Sequence, residues 1–428
     1  MSTSSGQYAG LPAAPDDASY RPVVEERVRL GRLLFYDKIL SGNRNIACGT
    51  CHHHEHASAD GLSLPVGEGG IGIGPQRSVG AGDSMIARRV PRNSPALFNL
   101  GASEFTTLFH DGRVSVQADE PSGFDSPAGD DLPPDLANVV AVQAMFPVLS
   151  STEMAGDLGE NDVVDAVDEE IGRGWDRIAA RLRAIPAYVE GFREVFPEIE
   201  AAHDITMVHA ANAIADFVSF EWRADGSPFD RFLRGEAAAL DARARGGMAL
   251  FYGATGCSRC HAGPFQTDHD FHAIAMPQVG YVRTRAFDPV VRDMGRINET
   301  DSIADRYRFR TPSLRNVTAT APYGHSGAYR TLEAVVRHHL DPPASFASYD
   351  RTQAALPPHP VESARDFLVL ENARARRRLI AANELEPQSL SETEINALLA
   401  FLDALTDPES LRGRLGRPTA VPSGLPVD

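Results

Sequence analysis

Apolar residues recur at helical spacing in several stretches, and long polar, Pro- and Gly-rich segments separate them. The first stretch is "VVEERVRLGRLLFYDKILS", whose periodicity predicts a helix. Helical patterns resume at "NDVVDAVDEEI", "YVEGFREVF" and "TMVHAANAIADFVSF", and again at "ARARGGMALFYG". The last is "LSETEINALLAFLDALTD", where Ser391 and Glu394 form a capping box and Ile395, Leu398, Leu399 and Leu402 form the apolar stripe. Strand-like alternation is sparse. The chain reads as mainly α, with long loops and little β structure.

The segments between these patterns set the organisation. Residues 116–137 are rich in Pro, Gly and Asp and mark a long loop or insertion. The run "GLSLPVGEGGIGIGPQRSVGAGD" lacks the Gly-Lys-Ser/Thr ending of a phosphate cradle and reads as irregular loop. "WRADGSPFDRFLRGE" joins two halves that share one order: a helix, a Cys-His motif, then loops. The expected boundaries are a disordered terminus at 1–16, a first domain at 17–222, a second at 223–420 and a tail at 421–428. Residues 341–390 read as an insertion of unassigned role, with the basic run Arg374–Arg378 on a solvated helix face.

Composition narrows the function classes. Hydrophobic residues are 43% and charged residues 23%, ordinary for a globular chain. No apolar run reaches the roughly 18 residues that a membrane span needs. The start lacks the basic and apolar regions of a signal peptide. A formal net charge of −17 disfavours nucleic acid and tolerates a basic or neutral partner protein.

The four cysteines carry the chemistry. They form Cys48-Gly49-Thr50-Cys51-His52 and Cys257-Ser258-Arg259-Cys260-His261. C-x-x-C-H is the attachment signature of c-type haem, with two thioethers and a histidine under the iron. A zinc ribbon places its two pairs much closer in sequence, and redox disulfides need no histidine after both. His53 and His54 are expected to be exposed loop residues.

Around these motifs lie "LGRLLFYDKILS", "RNSPALFNLG", "FHDGRV", "STEMAG", "SPFDRFLRG" and "RTPSLRNVTATAPYGHSGAYRTLEAVV". Together they resemble the bacterial dihaem cytochrome c peroxidase and MauG superfamily over most of the chain. The resemblance implies two cytochrome c-like haem domains. The first is the peroxidatic one, where hydrogen peroxide reacts, and the second transfers electrons. It implies Glu153 as acid–base residue, Gln143 as positioning residue and Pro147 as cap over an open first iron. It places a distal ligand for the second iron in "TLEAVVRHHL", at His339 by ungapped counting, with His338 as competitor. His325 is expected as a hydrogen-bonding residue near a haem edge. A calcium ion on Asn93, Thr320 and Pro322 is implied between the haems.

Two departures from the family pattern refine this. Many members carry a blocking histidine in the loop before "RNSP"; the loop here, "AGDSMIARRVPRN", has none, and Met85 reads as a packed side chain. The tryptophan usual before "DGR" is His110, which suits a hydrogen bond to a haem propionate; Trp175 and Trp222 lie in other segments. An open first iron and a non-methionine second ligand favour the MauG-like branch, which includes MbnH-like tryptophan oxidases. The implied protein is periplasmic. It oxidises a partner protein, storing oxidising equivalents on both haems. The alternatives are a peroxide reductase fed by a small cytochrome c or cupredoxin, and a non-catalytic dihaem electron carrier or redox sensor.

Overall fold

The computed structural model describes residues 10–82, 85–283 and 291–428. The chain is 43% helix and 5% strand, so the mainly helical reading holds. Of the terminus expected to be disordered, residues 1–9 lie outside the described residues. Residues 10–16 correct that expectation, because they are seated. Leu11 packs on an apolar cluster of the second half, and Arg234 Nη2 donates to Pro15 O at 2.7 Å. Asp16 caps the following turn by accepting from Ser19 N at 3.1 Å.

The first half contains α1 (Glu25–Tyr36), α2 (Cys48–Cys51), α3 (Val139–Ala144), α4 (Asp162–Glu169), α5 (Ile171–Arg183), α6 (Pro186–Val195) and α7 (Met207–Glu221). Its core joins Leu34 and Phe35 of α1, Val139 and Val142 of α3, Trp175 and Ile178 of α5, and Phe217 of α7. α1 runs so close to α7 that a Cβ on Gly31 would fall 1.8 Å from Ala213 O. Most of α7 is buried, and its buried Asn212 and Asp216 are paired as burial demands. Asn212 Oδ1 accepts from Ala137 N at 2.8 Å, and Asp216 takes Arg27 Nε at 2.7 Å.

Strands β1 (Thr107–Leu108), β2 (Val114–Val116) and β3 (Phe124–Asp125) form a small antiparallel sheet, with Leu108 opposite Val114. The tight β1–β2 connection holds His110, Asp111, Gly112 and Arg113. In the expected loop 116–137, β3 adds one short pairing.

The second half contains α8 (Pro228–Leu233), α9 (Ala242–Phe251), α10 (Ile297–Thr300), α11 (Leu332–Leu340), α12 (Pro342–Ala347), α13 (Leu368–Glu371), α14 (Ala373–Ala381) and α15 (Glu392–Asp403). Strands β4 (Phe271–His272) and β5 (Phe309–Arg310) pair antiparallel. Met248 and Phe251 of α9 meet Leu398 and Phe401 of α15. Here too a glycine allows the crossing, since a Cβ on Gly247 would lie 1.9 Å from Ala397 O. The α15 capping box forms as expected: Glu394 N donates to Ser391 Oγ, and Glu394 Oε2 accepts from Ser391 N.

The halves are clasped in several places. The 341–390 segment forms α12, α13 and α14. Arg374 to Arg378 lie on α14, where Ala375 and Leu379 turn inward. The same segment grips the first half: buried Arg89 bonds Glu362 and Asp366, and His359 Nε2 donates to Ile86 O at 3.0 Å. The 421–428 tail returns to the first half, where Ser423 Oγ donates to Asp37 Oδ1 at 2.6 Å and Asp428 accepts from Thr50 Oγ1 at 2.5 Å.

Candidate functional site

Each Cys-His motif forms a single tight turn. In the first, His52 N donates to Cys48 O at 2.9 Å. In the second, His261 N donates to Cys257 O at 3.0 Å. The imidazoles are oriented alike. His52 Nδ1 donates to Ser58 O at 3.0 Å, and His261 Nδ1 donates to Gln266 O at 3.1 Å. Placing the ring proton on Nδ1 leaves each Nε2 with the lone pair a metal requires. Burial pushes both imidazoles down, His261 to about 4, which favours the neutral ligand form.

Opposite His261 stands His339 of α11. Its Nδ1 donates to Val335 O at 2.8 Å, and the two ring centroids are 6.4 Å apart. Two imidazoles sharing one metal through bonds of about 2 Å have ring centres roughly 6 Å apart. His338 is fully buried and differently engaged. Its Nε2 donates to Ile274 O at 2.8 Å, and its Nδ1 faces Tyr329 Oη at 3.0 Å.

On the first-half side, α3 leads through Gln143 and Pro147 into a wide turn, Ser151–Ala155, which carries Glu153. The amides of Glu153, Met154 and Ala155 all converge on Ser150 O, at 3.1, 3.0 and 2.9 Å. Such π-type turns recur at functional sites. Trp175 Nε1 pins the segment by donating to Met145 O at 2.7 Å. Gln143 and Pro147 are half-buried on this segment. Burial raises the Glu153 carboxyl above its ordinary range, against the opposing pull of Arg113, Ser150 and Arg283. Met154 of the same turn belongs to the apolar cluster against which Cys48 and Cys51 pack.

Between the halves lies a buried ionic cluster. Arg92 Nε meets Asp293 at 2.7 Å and its Nη1 meets Asp111 at 2.6 Å. Arg113 and Arg283 also reach Asp111. Burial alone would raise Asp111, but the three arginines hold it far below the carboxylate range. Around this cluster, His110 Nε2 donates to Asn93 O at 3.3 Å. His325 stacks on Phe309 at 3.7 Å. Burial pushes His110 to about 3 and His325 to about 4. Asn93 Nδ2 donates to Leu62 O at 2.7 Å. Thr320 Oγ1 donates to Val317 O at 3.2 Å, and Pro322 abuts Gly327, whose carbonyl accepts from Ser63 Oγ at 2.6 Å.

One expectation changes, and two long-range contacts appear. His53 and His54 are not exposed loop residues: His53 is 3% exposed, and His54 is bonded to both Tyr36 and Glu221. Trp222, distant in sequence, lies 5.3 Å from the His54 ring. The 421–428 tail reaches the first motif, where Asp428 accepts from Thr50 Oγ1. Met85 packs with Leu62, Val66 and Ile86, as a packed methionine should. The glycine-rich loop is organised from within by buried Arg77, which donates to the carbonyls of Val66, Gly67 and Gly72.

Residues 25–238 match the sequence model of di-haem cytochrome c peroxidases. The MauG protein of Methylorubrum extorquens is 30% identical over 388 residues, spanning 90% of this chain and 79% of its own length. The chain belongs to the di-haem cytochrome c peroxidase family. Cytochrome c551 peroxidase of Pseudomonas aeruginosa is 29% identical over 78% of this chain and 77% of its own. A MauG-like protein associated with microbial copper homeostasis shares the fold, with a TM-score of 0.59, 25% identity, and 96% and 97% of the two chains covered. Diheme peroxidase BthA of Burkholderia thailandensis does so at 19% identity, with a TM-score of 0.59 and 94% and 96% covered.

Membership brings two haem cofactors and an oxidoreductase activity of the peroxidase type. The residues present fit two porphyrins. All four thiols are free, two beside each oriented imidazole. At the boundary, the buried donor Arg310 Nη1 and the buried ring nitrogen His325 Nε2 have no partner among the described residues, which suits the acidic edge of a porphyrin. Among the described residues no helix is long and apolar enough to cross a membrane.

Proposed function

We propose that this chain reduces hydrogen peroxide at its first Cys-His motif and spends the oxidising power on a partner protein, in the manner of MauG. In this reading Cys48 and Cys51 hold one haem, with His52 as its ligand. Cys257 and Cys260 would hold the other, with His261 and His339 as its ligands. Haem held in these places would supply the peroxide chemistry in the first half and the electron transfer in the second.

The observation that carries the reading is an asymmetry. His261 faces His339 at 6.4 Å, whereas the first motif is approached by a carboxyl whose pKa is raised. Glu153 moves the proton from one peroxide oxygen to the other, a role that calls for a carboxyl poised above its ordinary range. Gln143 orients the peroxide, and Pro147 keeps other ligands off that face. His110, His325 and Arg310 serve the acidic haem edges at the boundary. A calcium ion there is held by Asn93, Thr320 and Pro322, oxygen donors of the kind calcium takes. The same reading places the protein in the periplasm.

Stopped-flow spectra of the diferric protein test this. A spectral change with stoichiometric peroxide, before any reduction, supports the partner-oxidising reading, and no change refutes it. The resemblance to cytochrome c551 peroxidase favours a second reading, a peroxide reductase fed by a small cytochrome c or cupredoxin. That version shows turnover with such a donor and needs no protein substrate.

A further inference from the structure

Tyr36 closes α1 with its ring against the first Cys-His motif. A Cβ on Gly49 would fall 2.4 Å from Tyr36 Cδ1 and Cε1, so the glycine between the cysteines makes room for the ring. The phenol is hydrogen-bonded to His54 Nδ1. The other His54 nitrogen, Nε2, lies 2.7 Å from Glu221 Oε1. Glu221 is fully buried and also accepts from Leu415 N at 2.7 Å and Gly416 N at 2.8 Å. Burial alone would raise its pKa, but His54 and these amides hold it below the usual range, as a carboxylate. A carboxylate only accepts, so His54 Nε2 carries the ring proton and Nδ1 accepts from the phenol. Trp222 sits 5.3 Å from His54.

We infer that Tyr36 is a redox-active tyrosine of the first motif, with His54 as its built-in proton acceptor. The inference rests on the proposed function, in which hydrogen peroxide is the oxidant at the His52 haem. One electron leaves the Tyr36 ring toward that haem. The O–H bond breaks, and its proton passes to His54 Nδ1. The products are a neutral tyrosyl radical and an imidazolium held against the Glu221 carboxylate. Peroxide takes two electrons and, from solvent, two protons to give two waters; Tyr36 supplies one of the electrons, and the other comes from ferric haem in the protein alone or from the partner protein when it is present. When an electron returns to Tyr36, the proton moves back from His54. A phenol that loses an electron becomes a strong acid, so a base already in hydrogen-bond contact is what the step requires. The second half holds a contrasting pair. Tyr329 Oη lies 3.0 Å from His338 Nδ1, but His338 Nε2 meets a neutral carbonyl, Ile274 O, at 2.8 Å.

Freeze-quench EPR of the diferric protein after hydrogen peroxide, with ring-deuterated tyrosine, reads the radical directly. A tyrosyl signal is expected that narrows on deuteration, is lost in Tyr36→Phe and persists in Tyr329→Phe. Glu221→Gln should lower its yield several-fold. A signal that survives in Tyr36→Phe, or peroxide consumption without any tyrosyl signal, overturns the inference and leaves the proposed function standing. A wild type that consumes no peroxide sinks both. Should Tyr36→Phe lose haem, spin-trapping of the wild type with peptide mass spectrometry decides. Adducts on Tyr36 support the inference, and adducts only elsewhere refute it.

Discussion

In both halves of the molecule a helix crosses a later helix at a glycine, a Cys-His motif follows, and its histidine donates Nδ1 to a carbonyl a few residues on. Gly31 and Gly247 serve the crossings; Ser58 and Gln266 supply the carbonyls. On the other side of each motif the halves part. α11 brings an imidazole to His261, whereas the 139–156 segment brings a half-buried carboxyl on a turn whose Met154 shares an apolar cluster with Cys51. The shared features are short-range and repeat with the local sequence. The differing ones arrive on separate segments, and there one architecture supports two kinds of site. The tyrosine–histidine pairs repeat the lesson: His54 ends on a carboxylate and His338 on a carbonyl.

The largest effect is expected from Glu153→Gln. It preserves size and removes the titratable proton. The peroxide reaction of the first half should slow about 10²–10⁴-fold in stopped flow. An unchanged rate would erase the chemical difference between the halves.

The seam between the halves comes next in size. Asp293→Ala leaves the buried Arg92 guanidinium with only part of its compensation, an effect of up to about 3–5 kcal/mol in chemical unfolding. Asp111 and Asp293 are both held below the ordinary value of 3.8, so their stabilisation is complete at neutral pH. It should drain away as the pH falls below that value, because the unfolded carboxylates bind protons first. Circular dichroism against pH would show a shallower acid limb in Asp293→Asn.

His338 and His339 separate by two measurements. His339→Ala should turn the second iron's low-spin EPR signal high-spin. His338→Ala should leave that signal alone while stranding Ile274 O, at about 1–3 kcal/mol for a buried group left unpaired; Tyr329 Oη keeps Ser345 Oγ at 2.8 Å. Loss of the low-spin signal in His338→Ala instead would reverse the two roles. The smallest effect is at the α15 cap: Ser391→Ala should lower stability by about 1 kcal/mol in thermal unfolding, with no spectral change at either iron.

Much of the architecture was legible along the chain. The helical periods of α1, α7, α9 and α15 were visible, as was the Ser391–Glu394 box, because each depends on residues three or four apart. Both Cys-His turns were visible for the same reason. Illegible were the burial of His53, the Tyr36–His54–Glu221 chain and the nearness of Trp222 to His54. So were the grip of 341–390 on Arg89 and the return of the tail to Asp37 and Thr50. Each depends on which distant surfaces dock.

By itself, then, the sequence determined where helices start and stop and where thiols and imidazoles fall in one turn, since backbone geometry settles such short spans. What faces each motif was set by how distant segments dock. α11 turns one histidine toward His261 and its neighbour toward Tyr329 and Ile274, and the return of α7 sets Glu221 behind His54. Those choices come from burying apolar surface across the whole chain, and no local pattern encodes them.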